Sequence, residues 1–255
     1  MRHIPRKRFG QHFLTDASVL QRIVTEIAPV PDDLFVEIGP GEGVLTTRIL
    51  SVVARMHAIE IDRDLAGRLR ERFGQAGLDL VEGDALDFDF SSLPPRLRVI
   101  GNLPYNISTP LIFHLCDFAE RFVDMHFMLQ KEVVERMAAR PSTPAYGRLS
   151  VMTQFWFAVQ PLFVVPPGAF RPPPKVDSMV VRLRPRTAIE RGSTNVEALR
   201  RVVTAAFSHR RKTLRNALGG LVTESQLVSM GIDPGARAEN LSLEDYVNLA
   251  GLAGT

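Results

Sequence analysis

Leu34-Phe35-Val36-Glu37-Ile38-Gly39-Pro40-Gly41-Glu42-Gly43 is the stretch that decides the fold. An apolar run stops at a cluster of glycines, and residues 44–53 behind it read as a helix. Glycines let the chain turn sharply there and let a ligand approach the backbone closely. The alternation then repeats. Residues 56–62 read as a strand ending in acids and 64–73 as a charged helix. Residues 78–82 form a third strand that stops at Gly83-Asp84-Ala85, and 98–101 a fourth that stops at Asn102-Leu103-Pro104-Tyr105. This pattern predicts an α/β fold with a mostly parallel, doubly wound, Rossmann-like sheet.

Upstream, Asp16 is placed to cap a helix over 16–28, which Pro29 and Pro31 end. Downstream come a strand over 124–129, a helix over 131–139, an apolar stretch over 150–165 and a last strand over 179–183. Pro185 and the polar run 187–195 read as a linker. Beyond it the periodicity fits helices over 196–208, 211–219 and 242–252, with a short helical turn near 224–230. The expected organisation is a Rossmann-like domain over 1–185 followed by a small all-helical domain over 186–255.

The chain has 255 residues, 45% hydrophobic and 23% charged, which excludes a mainly disordered protein. A single cysteine, Cys116, excludes an internal disulfide framework and a Cys-cluster metal site, and reads as a small buried hydrophobe. The six histidines have no metal-like spacing, so no metal is expected. No apolar run approaches the roughly 20 residues needed to span a bilayer. The basic N-terminus runs into Phe9-Gly10-Gln11-His12 rather than a signal peptide's apolar core. A cytoplasmic, non-membrane monomer is the expectation.

Net charge is +3, and its placement says more than its size. Residues 1–183 hold 21 basic and 21 acidic side chains, whereas 184–255 hold 10 and 7. Two basic stretches lack a local acid. One is the N-terminal arm with Arg2, Arg6, Lys7 and Arg8. The other holds Arg200, Arg201, Arg210, Arg211, Lys212 and Arg215, inside 198–223, where there is no Asp or Glu.

Glu60 falls 21 residues after Gly39, at a strand end, where a carboxylate accepts hydrogen bonds from ribose hydroxyls. A dinucleotide fingerprint would read G-x-G-x-x-G, but here the third glycine comes one residue early and Glu42 lies in the loop. A carboxylate repels a pyrophosphate and suits a cationic centre, so the loop points to S-adenosylmethionine. Asp84 is then placed to accept from an adenine amino group. Asn102-Leu103-Pro104-Tyr105, at the end of an adjacent strand, faces the same crevice. An amide oxygen and a backbone carbonyl there can both accept from an exocyclic amine. Their pull makes that nitrogen more tetrahedral and more nucleophilic. Pro104 stiffens the turn, and Tyr105 offers a face on which a base can stack.

Several segments together resemble the ribosomal RNA adenine dimethyltransferases, most closely their bacterial small-subunit branch. They are Gly10-Gln11-His12-Phe13-Leu14, Glu37-Ile38-Gly39-Pro40-Gly41, Asn102-Leu103-Pro104-Tyr105-Asn106-Ile107-Ser108, Leu129-Gln130-Lys131-Glu132-Val133, Tyr146-Gly147-Arg148-Leu149-Ser150 and Phe170-Arg171-Pro172-Pro173-Pro174-Lys175-Val176-Asp177-Ser178. Residues 207–216 resemble the branch's helical domain. The resemblance implies dimethylation at N6 of two adjacent adenines near the 3′ end of 16S rRNA, in an immature 30S particle late in assembly. It implies cofactor contacts at His12, Leu14, Gly39, Glu60, Asp84 and Asn102. Many members carry Asn in place of His12, and either side chain offers a donor to the cofactor's carboxylate. The target adenine would be held by Asn102, Pro104 and Tyr105 and sandwiched by Phe170. Arg6, Lys7, Arg8, Arg210, Arg211, Lys212 and Arg215 become candidate rRNA contacts. Two rivals follow: a 23S rRNA adenine methyltransferase of the macrolide-resistance type, and a 30S assembly factor whose methylation is secondary.

Overall fold

The computed structural model describes residues 11–209 and 211–253. Arg6, Lys7, Arg8 and Arg210 lie outside the described residues. In chain order the elements are β1 (Phe13–Leu14), α1 (Ala17–Ile27), β2 (Leu34–Ile38), α2 (Val44–Leu50), β3 (Met56–Glu60), α3 (Arg63–Phe73), β4 (Leu78–Glu82), β5 (Leu97–Asn102), α4 (Ser108–Cys116), β6 (Phe122–Gln130), α5 (Lys131–Met137), α6 (Arg148–Trp156), β7 (Phe157–Val165), β8 (Phe170–Arg171), β9 (Ser178–Pro185), α7 (Ala188–Arg191), α8 (Val196–Ala206), α9 (Leu214–Ala217), α10 (Glu224–Ser229) and α11 (Leu243–Ala253).

The main sheet has seven strands in the order β4-β3-β2-β5-β6-β9-β7. Strands β4, β3, β2, β5 and β6 run parallel, and β9 returns antiparallel to β6. The α/β, Rossmann-like expectation is met. Because β2 has β3 on one side and β5 on the other, the strand order reverses at β2. Ligands of open α/β sheets bind outside the carboxyl ends of the strands at such a point. The central strands are buried along their length, with Phe35, Val36, Val99 and Ile100 fully shielded. Asp16 caps α1 as expected, accepting from the Ser18 and Val19 amides at 2.8 and 3.1 Å. Asp62 does the same for α3.

The chain divides into two compact units: Met1–Val134 with Val159–Pro185, and Glu135–Ala158 with Arg186–Thr255. Residues 135–158, which the sequence pattern places in the first domain, pack instead within the helical unit. The reason is hydrophobic. In α6, Leu149, Val151, Met152, Phe155 and Trp156 are buried, and Gln154 is held by the Met137 and Ala139 carbonyls at 2.8 Å. The core of this unit is completed by Leu199, Val202, Val203, Leu214, Leu227, Tyr246 and Leu249.

The structure refines the pattern at four places. The apolar stretch 150–165 is a helix–strand junction, α6 into β7. The linker 187–195 contains α7, where Thr187 and Glu190 bond reciprocally to each other's backbone amides. The helix expected over 211–219 shrinks to α9, because Thr213 pairs with Arg237 in an isolated β-bridge. And α4 goes unannounced in the sequence: it is buried on several sides, so no polar stripe marks it. Its Pro110 sits in the first turn, where the missing amide hydrogen costs nothing. Cys116 is buried as expected, and its thiol donates to the Ile112 carbonyl.

Candidate active site

The glycine loop between β2 and α2 adopts left-handed backbone at Gly39, Gly41 and Gly43 (φ 65°, 59° and 74°). At Gly43 a Cβ would also lie 2.7 Å from the Phe73 ring, so only glycine fits. At Gly39 a Cβ would meet no atom of the described residues within 4 Å. Backbone at that point faces open space, and Gly39 lines a cavity of about 330 Å³ at the carboxyl ends of β2, β3, β4 and β5.

Four carboxylates line this cavity: Glu37, Glu42, Glu60 and Asp84. No Lys or Arg is among its described lining residues. Glu60 clamps the loop from below, one oxygen accepting from the Gly41 amide at 3.1 Å and the other from Asp62 at 2.9 Å. Burial raises its pKa, and those amide bonds oppose the rise. Each oxygen keeps a second lone pair for a ligand hydroxyl. Asp84 has one oxygen fixed by the Leu86 amide at 2.9 Å and lines the cavity beyond β4. Glu37 is a residue that sequence reasoning left as part of the loop motif. It is 3% exposed, bonded to the Thr46 hydroxyl at 2.5 Å, and pushed up to about 7. Burial is the main cause; the Thr46 bond opposes it and the Glu60 charge adds to it. Its position, fourth in a strand running into a glycine turn, was the available signal.

The Asn102-Leu103-Pro104-Tyr105 turn opens on the same cavity. The Asn102 amide nitrogen donates to the His12 carbonyl at 2.8 Å. A carbonyl can only accept, so the amide's orientation is fixed and its oxygen is left to accept from a ligand. Pro104 lies in the turn itself. Its carbonyl already receives the Ile107 amide at 3.2 Å and the Ser108 hydroxyl at 3.0 Å, closing the turn into α4. The neighbouring Leu103 carbonyl, which sequence reasoning did not single out, has no donor among the described residues. Tyr105 is half-buried, and its hydroxyl bonds Ser178 at 2.8 Å. Burial raises its pKa, with the Ser178 bond opposing.

The structure therefore brings His12, Leu14, Gly39, Glu60, Asp84, Asn102, Pro104 and Tyr105 around one cavity. It does not bring Phe170 there. That ring is 3% exposed within the hydrophobic core, on β8, opposite Leu14 of β1. Of the basic cluster, Arg211 and Lys212 are exposed, and exposed Arg215 pairs with Glu224 at 3.4 Å. Among the described residues no cluster of His, Cys, Asp and Glu could hold a metal, and no helix is long and apolar enough to cross a membrane.

The sequence profile described as "Ribosomal RNA adenine dimethylase" matches residues 2–253. The chain belongs to the ribosomal RNA adenine dimethylase family. One relative of this dimethylase, "Ribosomal RNA small subunit methyltransferase A" of Aromatoleum aromaticum, is 55% identical over 245 residues, 96% of this chain and 92% of that protein. Among solved structures, a dimethyladenosine transferase from Plasmodium falciparum superposes with a TM-score of 0.82 at 28% identity, covering 93% of this chain and 96% of that one. The 23S rRNA methyltransferase ErmE superposes with a TM-score of 0.69 at 26% identity, covering 95% and 100%.

Proposed function

We propose that this dimethylase is an S-adenosylmethionine-dependent enzyme that dimethylates N6 of adjacent adenines near the 3′ end of 16S rRNA. The observation that carries the reading is the acidic cavity at the strand switch point. Four carboxylates with no Lys or Arg among the described lining residues suit a cationic ligand and oppose a pyrophosphate. The cradle at Gly39 and the loop-clamping Glu60 suit the ribose and amino-acid parts of S-adenosylmethionine. When bound, that cofactor supplies an electrophilic methyl group on a sulfonium. The chain's own residues prepare the nucleophile. Asn102 Oδ1 and the Leu103 carbonyl accept the two hydrogens of the adenine amine and draw its lone pair out of the ring. No strong base is needed, because the amine proton becomes acidic only as the new bond forms. Tyr105, held by Ser178, supplies the stacking face; such stacking contributes about 1–3 kcal/mol per base. Positioning accounts for most of the barrier reduction.

The first unit is the catalytic part and the helical unit an rRNA-contacting part. Arg210, Arg211, Lys212 and Arg215 of the helical unit, and Arg6, Lys7 and Arg8 of the N-terminal arm, are the candidate contacts to the rRNA backbone. The working setting is an immature 30S particle in the cytoplasm, with the enzyme a monomer. Relatives named for the small subunit, more than half identical over nearly the whole chain, favour 16S over 23S rRNA. Incubation with labelled cofactor and either immature 30S particles or protein-free 23S rRNA separates the readings. Label in 30S particles is expected. Label in 23S alone overturns the substrate, and tight 30S binding without label favours an assembly factor.

A further inference from the structure

His12 touches the target-base side of the cavity at three points. Its backbone carbonyl receives the Asn102 amide at 2.8 Å and so fixes which way that amide faces. Its ring lies 5.6 Å from the Tyr105 ring, tilted by 30°. Its Nδ1 lies 2.8 Å from the Pro172 carbonyl. A carbonyl only accepts, so Nδ1 carries a proton and donates it to Pro172.

The place of this bond matters. The residues of β1 and β8 pair as Phe13 with Arg171 and Leu14 with Phe170. His12 immediately precedes that two-residue ladder and Pro172 immediately follows it, so the imidazole closes its open end. Beyond Pro172 the chain runs through exposed Pro173, buried Pro174 and exposed Lys175, Val176 and Asp177 to buried Ser178. Ser178 holds the Tyr105 hydroxyl, and the Asp177 carbonyl receives the Lys131 amide at 3.0 Å. This strap is tied at one end by His12 and at the other by Tyr105 and Lys131.

We infer that His12 is a positioning residue for the target base: its Nδ1–H tethers the 172–178 strap while its ring sets Tyr105. The inference rests on the methyltransferase reading for its kinetic consequence but not for its structural one. Rigid walls matter because a misplacement of about 1 Å can cost about 10²-fold in rate.

The test compares wild type, His12→Phe and His12→Ala in three measurements. His12→Phe keeps a ring beside Tyr105 and removes only the donor. Thermal unfolding of both variants first establishes that they fold. Amide hydrogen exchange in the 170–178 segment, read without RNA or cofactor, should speed up about tenfold in both variants, as expected when one tethering hydrogen bond is lost. The kcat/KM for rRNA should fall about tenfold in His12→Phe and about 100-fold in His12→Ala. Affinity for S-adenosylhomocysteine, by calorimetry, should move less than about twofold, since the lost bond is to Pro172 and not to the cofactor. Unchanged exchange in 170–178 overturns the tether. A large loss of S-adenosylhomocysteine affinity with unchanged exchange makes His12 a cofactor ligand instead. If wild type labels no RNA at all, the methyltransferase reading fails while the exchange result still decides the tether.

Discussion

The cavity of the first unit and the basic surface of the helical unit are opposite kinds of site. In the cavity four polar side chains each have a fixed partner: Glu60 holds two amides, Asp84 one, Glu37 a hydroxyl, and Asn102 a carbonyl. On the surface, Arg211 and Lys212 are exposed and make no ion pair among the described residues, and Arg215 has one exposed partner. A preorganised site spends no free energy on reorganising as charge develops, so it can distinguish one reacting atom from another. A solvated cationic surface attracts any phosphate backbone and falls off with salt. Chemical identity should therefore reside in the first region and affinity in the second.

The largest test of that division is Asn102→Ala. If its amide oxygen acts mainly in the transition state, turnover drops about 10²–10³-fold while RNA affinity holds. A wild-type rate breaks the mechanism. Next is Glu37. Its folded pKa of about 7 lies above the 4.5 of a free glutamate side chain, so between those values the folded chain keeps a proton that the unfolded chain releases. Stability from this group is fully present below about pH 4.5 and is lost as pH rises through 7. Relative to Glu37→Gln, wild type should lose up to about 3 kcal/mol of unfolding free energy across that window. A constant difference between the two chains across it would contradict the buried-acid account.

Gly43→Ala probes the loop backbone itself. A left-handed alanine against the Phe73 ring should cost about 1–3 kcal/mol, visible as a lowered melting temperature. An unchanged Tm would mean the loop has room that its geometry denies. The smallest effect belongs to the other region. Reversing the charges of Arg211, Lys212 and Arg215 should reduce the salt slope of RNA binding by about 2–3 units and leave turnover at saturation intact. A reduced kcat there would blur the division between the two regions.

The same contrast explains what could be read from residues alone. Gly39 and Gly43 were legible because left-handed backbone after a strand favours glycine, and Glu60 and Asp84 because carboxylates stand out at the ends of apolar strands. Asp16 was legible as a cap because its side chain satisfies amides two and three residues ahead. Phe170 was not, since an aromatic ahead of a proline run suits a core and a stacking platform equally, and only its pairing across from Leu14 decides where it lies. Pro104 and Leu103 could not be separated, because which carbonyl a turn consumes depends on the hydrogen bonds of Ile107 and Ser108. Residues 135–158 carry no boundary signal; their membership of the helical unit comes from side chains far off in sequence. The arginine run 210–215 showed its charge but not its shape, because the β-bridge of Thr213 with Arg237 is a long-range pairing.

The central claim is that the acidic cavity and the Asn102–Tyr105 turn together modify an adenine amine of small-subunit rRNA. Its most direct test is nucleoside mass spectrometry of 16S rRNA after incubating immature 30S particles with the enzyme and S-adenosylmethionine. The account predicts N6,N6-dimethyladenosine with wild type and its near absence with Asn102→Ala. Unmodified adenosine after wild-type incubation, or an equal yield from the Asn102→Ala enzyme, would contradict it.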